Sequence, residues 1–581
     1  MQKKAERNPE QMTVSYKTVR CFALVYITIP FFIFAVSWLS CLPAILCACS
    51  TAVALVLTLI SNNSSKKETV YFHKSDDTET LQLHPLVFLG IVAMAAIWAW
   101  WSGIGEGFYQ SNDFIYRNAI FRDLINYDWP VIYNEEKGML VYYIGFWLPA
   151  ACVGKLCLFL TANADFTWLV SVFVLYIWAF IGIAITFFLL VFCTKAKSSK
   201  AIFSVLFLFV FFSGMDIIGW AFGGLDGFFG RIAEKNVHIE WWTKILSEQT
   251  GKYLQYSSFT TQLFWVFNQS VITWICVLLL LQEKTPMHYI FIGMMCLFNG
   301  PLPFVGFFVV AMIKGVEFVW RHRKEPLLFT TKIFSLSNIF SGAGIFPVCL
   351  LYFTGNSAAV VSSGERSVRT DFGRIFKIDG VFSAKALWIV VAFLLLEFGI
   401  LALLLMKRKK TDPVFWGCVG MLILFPFVVI GSGGDFCMRA TIPALLCLCV
   451  YSCESLIAYF SKERKQRKSK TELALLCVLI IGSATPFVEF SRGVYKSIEA
   501  GCLLTYNELF FTLADVMEDE GNTLNFTSAD YKNSNFYRLI AKKAELPDQK
   551  PSSNPDTSDK VDISQVVATE DLSISPERMV F

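Results

Sequence analysis

Residues 167–193 read TWLVSVFVLYIWAFIGIAITFFLLVFC, an apolar run without a charged side chain. As an α-helix this run is roughly 40 Å long at 1.5 Å per residue, more than the bilayer's hydrocarbon core of about 30 Å. The run therefore predicts a transmembrane helix.

Similar runs recur from end to end of the chain. Of its 581 residues, 55% are hydrophobic and 17% are charged, whereas soluble globular proteins average about 45–50% apolar and about 25% charged residues. We therefore expect an all-α polytopic membrane protein. Thirteen spans are predicted, at 21–39, 42–60, 86–101, 167–193, 201–222, 259–281, 287–299, 302–320, 327–353, 386–405, 414–431, 440–460 and 472–488.

Four clusters of basic residues set the predicted orientation. They lie at Lys195–Lys200, Arg321–Lys324, Lys407–Lys410 and Lys462–Lys470. Short loops rich in lysine and arginine usually face the cytoplasm. Thirteen spans place all four clusters there, together with the N-terminal residues 1–20.

The same layout puts the long loops outside. The transmembrane domain, 21–488, then has external loops at 102–166, 223–258 and 354–385, and the tail 489–581 is external. In the tail we expect helices around Leu503–Met517 and Lys532–Lys543, and disorder from about residue 547, where Pro, Ser, Asp and Lys dominate. The compact loops favour the plasma membrane as the location.

Two apolar segments need a specific interpretation to satisfy the charge rule. Counting 139–160 as a span puts Lys195–Lys200 on the wrong side, so we expect a helix lying against the outer leaflet. Residues 287–320 contain the stretch NGPLP at 299–303. Prolines stop a helix, so we expect a hairpin of two helices that turns there.

Acidic residues are concentrated in the first long external loop. Asp113 lies in the stretch QSNDFIYRNAIFRDL (110–124), and Asp123, Asp128 and Glu135 follow in or after it. A carboxylate within hydrogen-bond reach of an acceptor can take its proton during group transfer. Asp113 is therefore the candidate catalytic base and the later three are secondary candidates, with a helix cap or a solvated charge as the structural alternative.

The loop continues with YYIGFWLPA (142–150), and over residues 86–490 the order of features resembles the GT-C superfamily of integral-membrane glycosyltransferases. Members have many spans, an acidic residue in the first long external loop and interfacial helices after it. They transfer sugars from polyprenyl-phosphate-linked donors to acceptors on the outer face. The resemblance implies a GT-C-like fold. A lone Asp113, instead of the adjacent acidic pair of some members, leaves the use of a divalent cation open.

A phosphate leaving group needs positive charge or backbone N–H groups beside it. The stretch GSGGDFCMR (431–439) occupies a short external turn, and glycines let successive N–H groups point at an anion. The structural alternative for this stretch is a tight turn with an Asp–Arg pair. For the basic loop 354–385, the alternative to anion binding is simple solvation. The candidate phosphate-binding residues are Arg117, Gly433, Gly434, Asp435, Arg439, Arg366 and Arg369.

A few polar residues occur within or beside the spans. Asp216 is placed to line a cavity near the outer end of its span, and Glu397 suits a proton pathway near mid-span. His238 and Glu240, in the stretch HIEWW (238–242), are candidates for a sugar-stacking platform. Structural pairing between helices is the alternative for the charged residues.

We therefore expect a glycosyltransferase that uses a polyprenyl-phosphate-linked sugar donor and a glycan, lipid or protein acceptor at the outer face. A transporter or flippase for a lipid-linked saccharide or other anion is the first alternative, although the sequence lacks the internal repeats typical of transporters. A scaffold protein without activity is the second. Basic residues are dispersed rather than gathered on one face, which argues against nucleic acid as a partner.

Overall fold

The computed structural model describes residues 11–61, 79–111, 113–134, 136–222, 238–243, 254–357, 369–370, 377–378, 381–429, 434–461, 469–499, 512–520 and 525–544. Its helices are α1 Tyr16–Trp38, α2 Cys41–Ile60, α3 Pro85–Trp101, α4 Phe114–Asn126, α5 Leu148–Thr161, α6 Ala164–Thr194, α7 Ser199–Val210, α8 Asp216–Phe222, α9 Phe259–Gln282, α10 Tyr289–Asn299, α11 Pro301–Arg321, α12 Pro326–Ile333, α13 Leu336–Thr354, α14 Ala384–Lys409, α15 Pro413–Leu424, α16 Asp435–Ala440, α17 Ile442–Phe460, α18 Lys470–Gly482, α19 Ala484–Glu499, α20 Leu513–Glu520 and α21 Asn535–Leu539.

The described strands are short and occur in four antiparallel pairs. The pairs are β1 Met12–Ser15 with β2 Thr80–Leu83, β3 Met139–Leu140 with β8 Thr527–Ser528, β4 Arg369–Thr370 with β7 Val428–Val429, and β5 Lys377–Ile378 with β6 Val381–Phe382. These pairs join loops and termini, and helices form the body of the molecule.

Nine stretches of helix among the described residues are long and apolar enough to cross a membrane. They are α1, α2, α6, α9, α11, α13, α14, α17 and the combined stretch Lys470–Ile498. The chain is therefore an all-α, multi-pass membrane protein. Each of the thirteen predicted segments contains a helix, but several of these helices are shorter than a bilayer, so the number of spans stays a prediction.

Helix α9 lies at the centre of the bundle. In its apolar stretch 94% of the residues are buried, compared with 22% in α2. The buried face of α9 includes polar side chains such as Asn268, Gln269 and Thr273. Polar groups at membrane depth are expensive when they face lipid, so this sequence requires that α9 be surrounded by other helices.

The segment 287–320 forms two adjacent helices. The chain turns at Gly300, and the Phe307 ring of α11 lies against Gly293 of α10. The segment 139–160 instead contains β3, a 3-10 turn at Gly145–Trp147 and α5. At roughly 21 Å, α5 is too short to cross a bilayer alone, and it packs along α6. Its predicted position on the outer leaflet stays a prediction.

Several basic residues and their partners lie at one end of the bundle, which we call the basic end. Nη2 of Arg20 lies 2.7 Å from Oε1 of Glu283, and Nζ of Lys314 donates to the backbone oxygen of Leu281 at 3.0 Å. These contacts join the start of α1 to the C-terminal parts of α9 and α11.

The C-terminal parts of α6 and α14 reach the same end. Nζ of Lys409 lies 2.6 Å from Oε2 of Glu454, and Cys193 lies close to both Lys314 and Glu454. The three clusters Lys195–Lys200, Arg321–Lys324 and Lys407–Lys410 therefore share the basic end, whereas most of Lys462–Lys470 lies outside the described residues.

The described part of the C-terminal tail lies at the opposite end of α1 from β1. The backbone N–H of Ser40 donates to the oxygen of Ile540 at 2.8 Å, and that of Lys542 donates to the oxygen of Trp38 at 2.8 Å. Gly138 has φ +78°, and a Cβ there would meet the backbone of Ser528 where β8 pairs with β3. The tail therefore packs on the first long loop.

Asp123 anchors this contact. Its buried Oδ2 accepts hydrogen bonds from the hydroxyl of Tyr133 at 2.8 Å and from the backbone N–H of Leu513, the first residue of α20, at 2.9 Å. Burial raises the pKa of Asp123 to about 8, although these two donors favour the carboxylate. This secondary catalytic candidate thus holds the tail to the loop.

We expect all four basic clusters to face the cytoplasm. Reporter fusions after Lys200, Lys324, Lys410 and Lys470 should score cytoplasmic, because basic loops are retained there, and a fusion at Phe581 should score external. One external score among the first four would overturn the layout.

Replacing Asp123 with alanine should release the tail. Tyr133 and Leu513 would each lose an acceptor at a cost of about 1–3 kcal/mol, so hydrogen exchange in α20 should accelerate by about 10- to 100-fold. The exposed Asp128 provides the control, since Asp128→Ala should leave exchange unchanged.

The protection of α20 should also depend on pH. An aspartate ionises near pH 3.9 in an unfolded chain, but Asp123 in the folded protein holds its proton until about pH 8. Folding then takes up a proton between these values, so protection should fall as the pH rises from about 4 to about 8. Hydrogen exchange of the α20 amides, corrected for its intrinsic pH dependence, should show this fall in protection. The Asp123→Asn variant should lack the fall.

Candidate functional site

Asp113 and Arg117 form an ion pair at the start of α4. Nη2 of Arg117 donates to Oδ2 of Asp113 at 2.8 Å, and the Asp113 side chain is 19% exposed. Asp113 occupies the N-cap position but makes no side-chain capping bond. The helix-cap alternative for Asp113 therefore has no support in these contacts.

Helix α4 presents this pair to α9. Its sequence places Ile115, Ala119, Ile120 and Leu124 on a buried face, which fixes the helix against the bundle. The guanidinium carbon of Arg117 then lies 5.5 Å from the centre of the Phe267 ring on α9.

A second Asp–Arg pair comes from α16. Nη2 of Arg439 lies 3.2 Å from Oδ1 of Asp435, and the two residues are four positions apart, as in the first pair. Helix α16 lies against α11 at Gly306, where a Cβ would collide with the backbone oxygen of Ala440. The missing side chain thus lets α16 approach closely.

The two pairs meet at Tyr142 and Tyr143. Nη1 of Arg439 donates to the hydroxyl of Tyr143 at 3.0 Å, and the two tyrosine rings are 3.7 Å apart between centres. Each arginine interacts electrostatically with the other pair. We call this group the Asp–Arg cluster; it consists of Asp113, Arg117, Tyr142, Tyr143, Asp435 and Arg439.

The cluster is strongly desolvated. Burial lowers the pKa of Arg117, opposed mainly by Asp113, but a guanidinium remains protonated in proteins. Burial also disfavours the charge of Arg439, yet Asp435 and the tyrosines outweigh it and hold its pKa above the usual value. Burial raises the pKa of Asp435, and Arg439 opposes that rise. Two cations thus lie among two acids in a water-poor site.

Two arginine nitrogens in the cluster have unused hydrogen-bonding capacity. Nη1 of Arg117 and Nε of Arg439 are buried, and within the described part of the chain no atom accepts from them. A buried donor without an acceptor costs about 1–3 kcal/mol. An anion with several oxygens, bound between the two arginines, would satisfy both.

Further polar atoms lie on the neighbouring helices. The side chain of Asn299 lies against Gly145, and Gln269 lies against Gly300. Oδ1 of Asn299, Oε1 of Gln269 and Nδ2 of Asn268 are buried, and none has a partner among the described residues. Buried donors and acceptors therefore lie on the helices beside the cluster.

Tyr142 is fixed from two directions. The hydroxyl of Tyr352 donates to the Tyr142 backbone oxygen at 3.0 Å and accepts from its N–H at 3.1 Å. From the tail, the ring of Phe526 lies 5.0 Å from that of Tyr142. Burial raises the pKa of Tyr142, so its hydroxyl stays a neutral hydrogen-bonding group.

The structure brings together four residues that the sequence singled out: Asp113, Arg117, Asp435 and Arg439. Gly434 directly precedes α16. Gly433, Arg366 and Glu135 lie outside the described residues, and only the backbone of Arg369 is described, in β4. Asp128 is exposed and lies near Lys155.

Asp216, His238 and Glu240 belong to a different, buried cluster. Oδ2 of Asp216 accepts from Ser213 and Thr485. Burial raises the pKa of Glu240 to about 7, and His238 opposes this rise. His238 contacts Trp241 and Trp265, so the predicted aromatic platform is largely engaged with the protein itself.

Some residues of the site were not singled out from the sequence. Asn268 and Gln269 had a visible signal, since they interrupt the apolar run 259–281 with adjacent amides. Tyr352 and Phe526 had none, because aromatic residues are common throughout this chain.

No group of three or more His, Cys, Asp or Glu side chains within the described ranges is placed to hold a metal ion. In the Asp–Arg cluster each carboxylate is already paired with an arginine. The use of a divalent cation stays an open prediction.

Comparisons with protein families, curated proteins and solved structures find no match to this chain. The classification shown by the structure is thus a multi-pass, all-α membrane protein.

We expect Arg439→Ala to weaken the binding of a short-chain polyprenyl phosphate by about 10- to 100-fold, because it removes a charge-assisted hydrogen bond worth about 1.5–3 kcal/mol. Calorimetry on the purified full-length protein measures this change. Arg439→Lys should restore binding only in part, since an ammonium lacks the planar fork of a guanidinium.

Arg321→Ala is the matched control. Arg321 also pairs with an acid four positions away, Glu317, but at the basic end. Its removal should leave the affinity unchanged, and an equal loss in both variants would contradict a specific site at Arg439.

Proposed function

We propose that the protein is a membrane glycosyltransferase that moves a sugar from a polyprenyl-phosphate-linked donor to an acceptor at the outer face. The observation that carries this proposal is the pair of buried arginines whose Nη1 and Nε atoms lack an acceptor among the described residues. They are paired with carboxylates at the loop end of a lipid-embedded bundle.

The arginines suit the phosphate of the donor. Guanidinium groups bind phosphate through parallel hydrogen bonds, and negative charge develops on the phosphate as the sugar leaves. Arg117 and Arg439 supply two fixed positive charges in a site with little water, where such stabilisation is strong. No reorganisation of solvent is then needed as the bond breaks.

The location suits a donor with a lipid tail. Arg117 contacts the N-terminal part of α9, and α16, which carries Asp435 and Arg439, lies against the N-terminal part of α11; both α9 and α11 are candidate spans. A phosphate bound there can leave its polyprenyl chain in the bilayer, while the acceptor approaches from the loop side.

Asp113 suits the role of the base. The described hydrogen bonds engage only its Oδ2, through Arg117, so Oδ1 is open to an acceptor hydroxyl. Asp113 takes the hydroxyl proton, the acceptor oxygen bonds to the sugar carbon, and the phosphate leaves with the bonding electrons. Asp435 is 14% exposed and paired with Arg439, and it serves to hold that arginine.

The arrangement of basic residues supports the outer-face assignment. Three basic clusters lie at the end opposite to the tail, and basic loops face the cytoplasm. The proposal therefore places the Asp–Arg cluster and the C-terminus outside, in the plasma membrane, with a glycan, lipid or protein as acceptor.

A transporter or flippase for a lipid-linked saccharide or other anion is the second candidate. Buried carboxylates at Asp216, Glu240, Glu397 and Glu489 favour it, because ionisable groups at membrane depth often accompany transport. Reconstituted liposomes distinguish the two: a transferase forms a new glycosidic product, whereas a flippase moves an unchanged lipid between leaflets.

Asp113→Asn should lower the transfer rate by about 10²- to 10⁴-fold, the usual effect of losing a positioned base. Donor affinity should change by less than about 3-fold, since the acceptor rather than the donor phosphate meets this carboxylate. Radiolabelled transfer from a purified lipid-linked sugar measures the rate, and calorimetry measures the affinity.

Asp128→Asn, an exposed aspartate of the same loop, should retain normal transfer. Near-normal transfer by Asp113→Asn would remove this residue as the base, and the absence of any glycosidic product with the wild-type protein would count against the proposed reaction itself.

A further inference from the structure

A second group of ionisable residues lies where two helices are interrupted. The chain is not helical between α7 and α8, over Phe211–Met215, and α14 contains a π-turn at Leu395–Gly399. The N–H of Met215 donates to the oxygen of Leu396 at 3.1 Å and joins the two interruptions. Single π-turns inside α-helices are rare and often mark functional sites.

Asp216 and Glu397 bring their carboxyl groups together at this point. Oδ2 of Asp216 accepts from Ser213 at 3.0 Å and from Thr485 at 2.7 Å. Oε1 of Glu397 accepts from Nε1 of Trp242 at 3.1 Å. The two carboxyl groups lie within hydrogen-bonding reach of each other.

One oxygen of this pair lacks a donor. Oε2 of Glu397 is buried, the residue is 3% exposed, and no described group donates to this atom. The oxygen lies against Gly214, where a Cβ would collide with it. The described residues thus provide room for the carboxyl but no hydrogen for its second oxygen.

The charged groups that the structure describes around the pair do not neutralise it. Glu240, Tyr256 and Cys437 face Glu397 from neighbouring segments, and none of them carries positive charge. The basic side chains described nearby are engaged elsewhere: His238 Nδ1 lies 2.7 Å from Oε1 of Glu489, and Arg492 Nη2 lies 2.6 Å from its Oε2.

Two adjacent carboxylates in a buried site cannot both ionise when no described cation lies beside them. We propose that Asp216 and Glu397 form a proton-binding site that holds one proton between their carboxyl groups at neutral pH. The proton supplies the missing hydrogen-bond donor and removes one of the two buried charges. This site is separate from the Asp–Arg cluster and does not depend on the glycosyltransferase proposal.

Glu489 offers a matched comparison. Like Glu397, it is buried and accepts from a tryptophan, Nε1 of Trp265 at 3.2 Å. Unlike Glu397, it has Arg492 and His238 as partners. Glu489 should therefore be ionised at neutral pH, whereas Glu397 shares a proton with Asp216. Both glutamates are buried.

Infrared spectroscopy of the full-length protein in nanodiscs tests this difference. At neutral pH the wild type should show a carbonyl band of a protonated carboxylic acid that shifts in D₂O. Protonated carboxyl groups of Asp123 and Glu240 absorb in the same spectral region. The spectrum of each variant is therefore subtracted from that of the wild type to isolate the band of the Asp216–Glu397 pair. Glu397→Gln should remove one band, and Glu489→Gln should remove none.

Thermal unfolding gives an independent readout. The glutamine of Glu397→Gln imitates the protonated acid, so the melting temperature should stay within about 3 °C at neutral pH. Wild-type stability should fall as the pH rises above about 4, where a glutamate of the unfolded chain ionises. That fall should be smaller in Glu397→Gln. Glu489→Gln should melt several degrees lower, because Arg492 loses its partner.

Asp216→Asn repeats the infrared test if Glu397→Gln fails to fold, and it should remove the same band. Loss of no band in either variant would overturn the proposal. So would a melting temperature that rises with sodium or potassium concentration in the wild type but not in Glu397→Gln, because the pair would then bind a metal cation instead of a proton.

Discussion

The free-energy cost of a charge surrounded by lipid governs where the ionisable side chains of this protein lie. A helix satisfies its own backbone hydrogen bonds in a bilayer, but a charged side chain must find a partner or reach water. At the basic end, Arg20 pairs with Glu283 and Lys409 with Glu454. Elsewhere in the bundle, Arg492 and His238 both contact Glu489. The pairs hold the helix ends in register.

The Asp–Arg cluster brings two such ion pairs together, and its hydrogen bonding among the described residues is incomplete. Two acids neutralise two arginines in formal charge, yet Nη1 of Arg117 and Nε of Arg439 have no acceptor among the described residues. Buried polar atoms of Asn268 and Gln269 on α9 and of Asn299 on α10 also lack partners among the described residues. Buried polar groups in folded proteins are nearly always hydrogen-bonded, so a concentration of unsatisfied ones beside a cluster of charges is a physical reason to expect a ligand.

The C-terminal tail is part of the same arrangement. Leu513 is held by Asp123, β8 pairs with β3, and Phe526 packs on Tyr142. The tail therefore supports the loop that carries the tyrosines of the cluster. A distant part of the chain thus contributes to the position of the candidate site, a relation that no local pattern in either segment indicates.

Hydrophobic run length alone determined that the chain is an all-α membrane protein, because bilayer thickness imposes a fixed length on any spanning helix. The sequence also singled out Asp113, Arg117, Asp435 and Arg439, since they lie in predicted external segments beside spans, where a site for a lipid-linked donor is expected. Only the tertiary structure decided that the two pairs meet, that Asp123 binds the tail and that Asp216 lies against Glu397. These contacts join residues far apart in the chain, and their energies depend on burial and on partners that local composition does not encode.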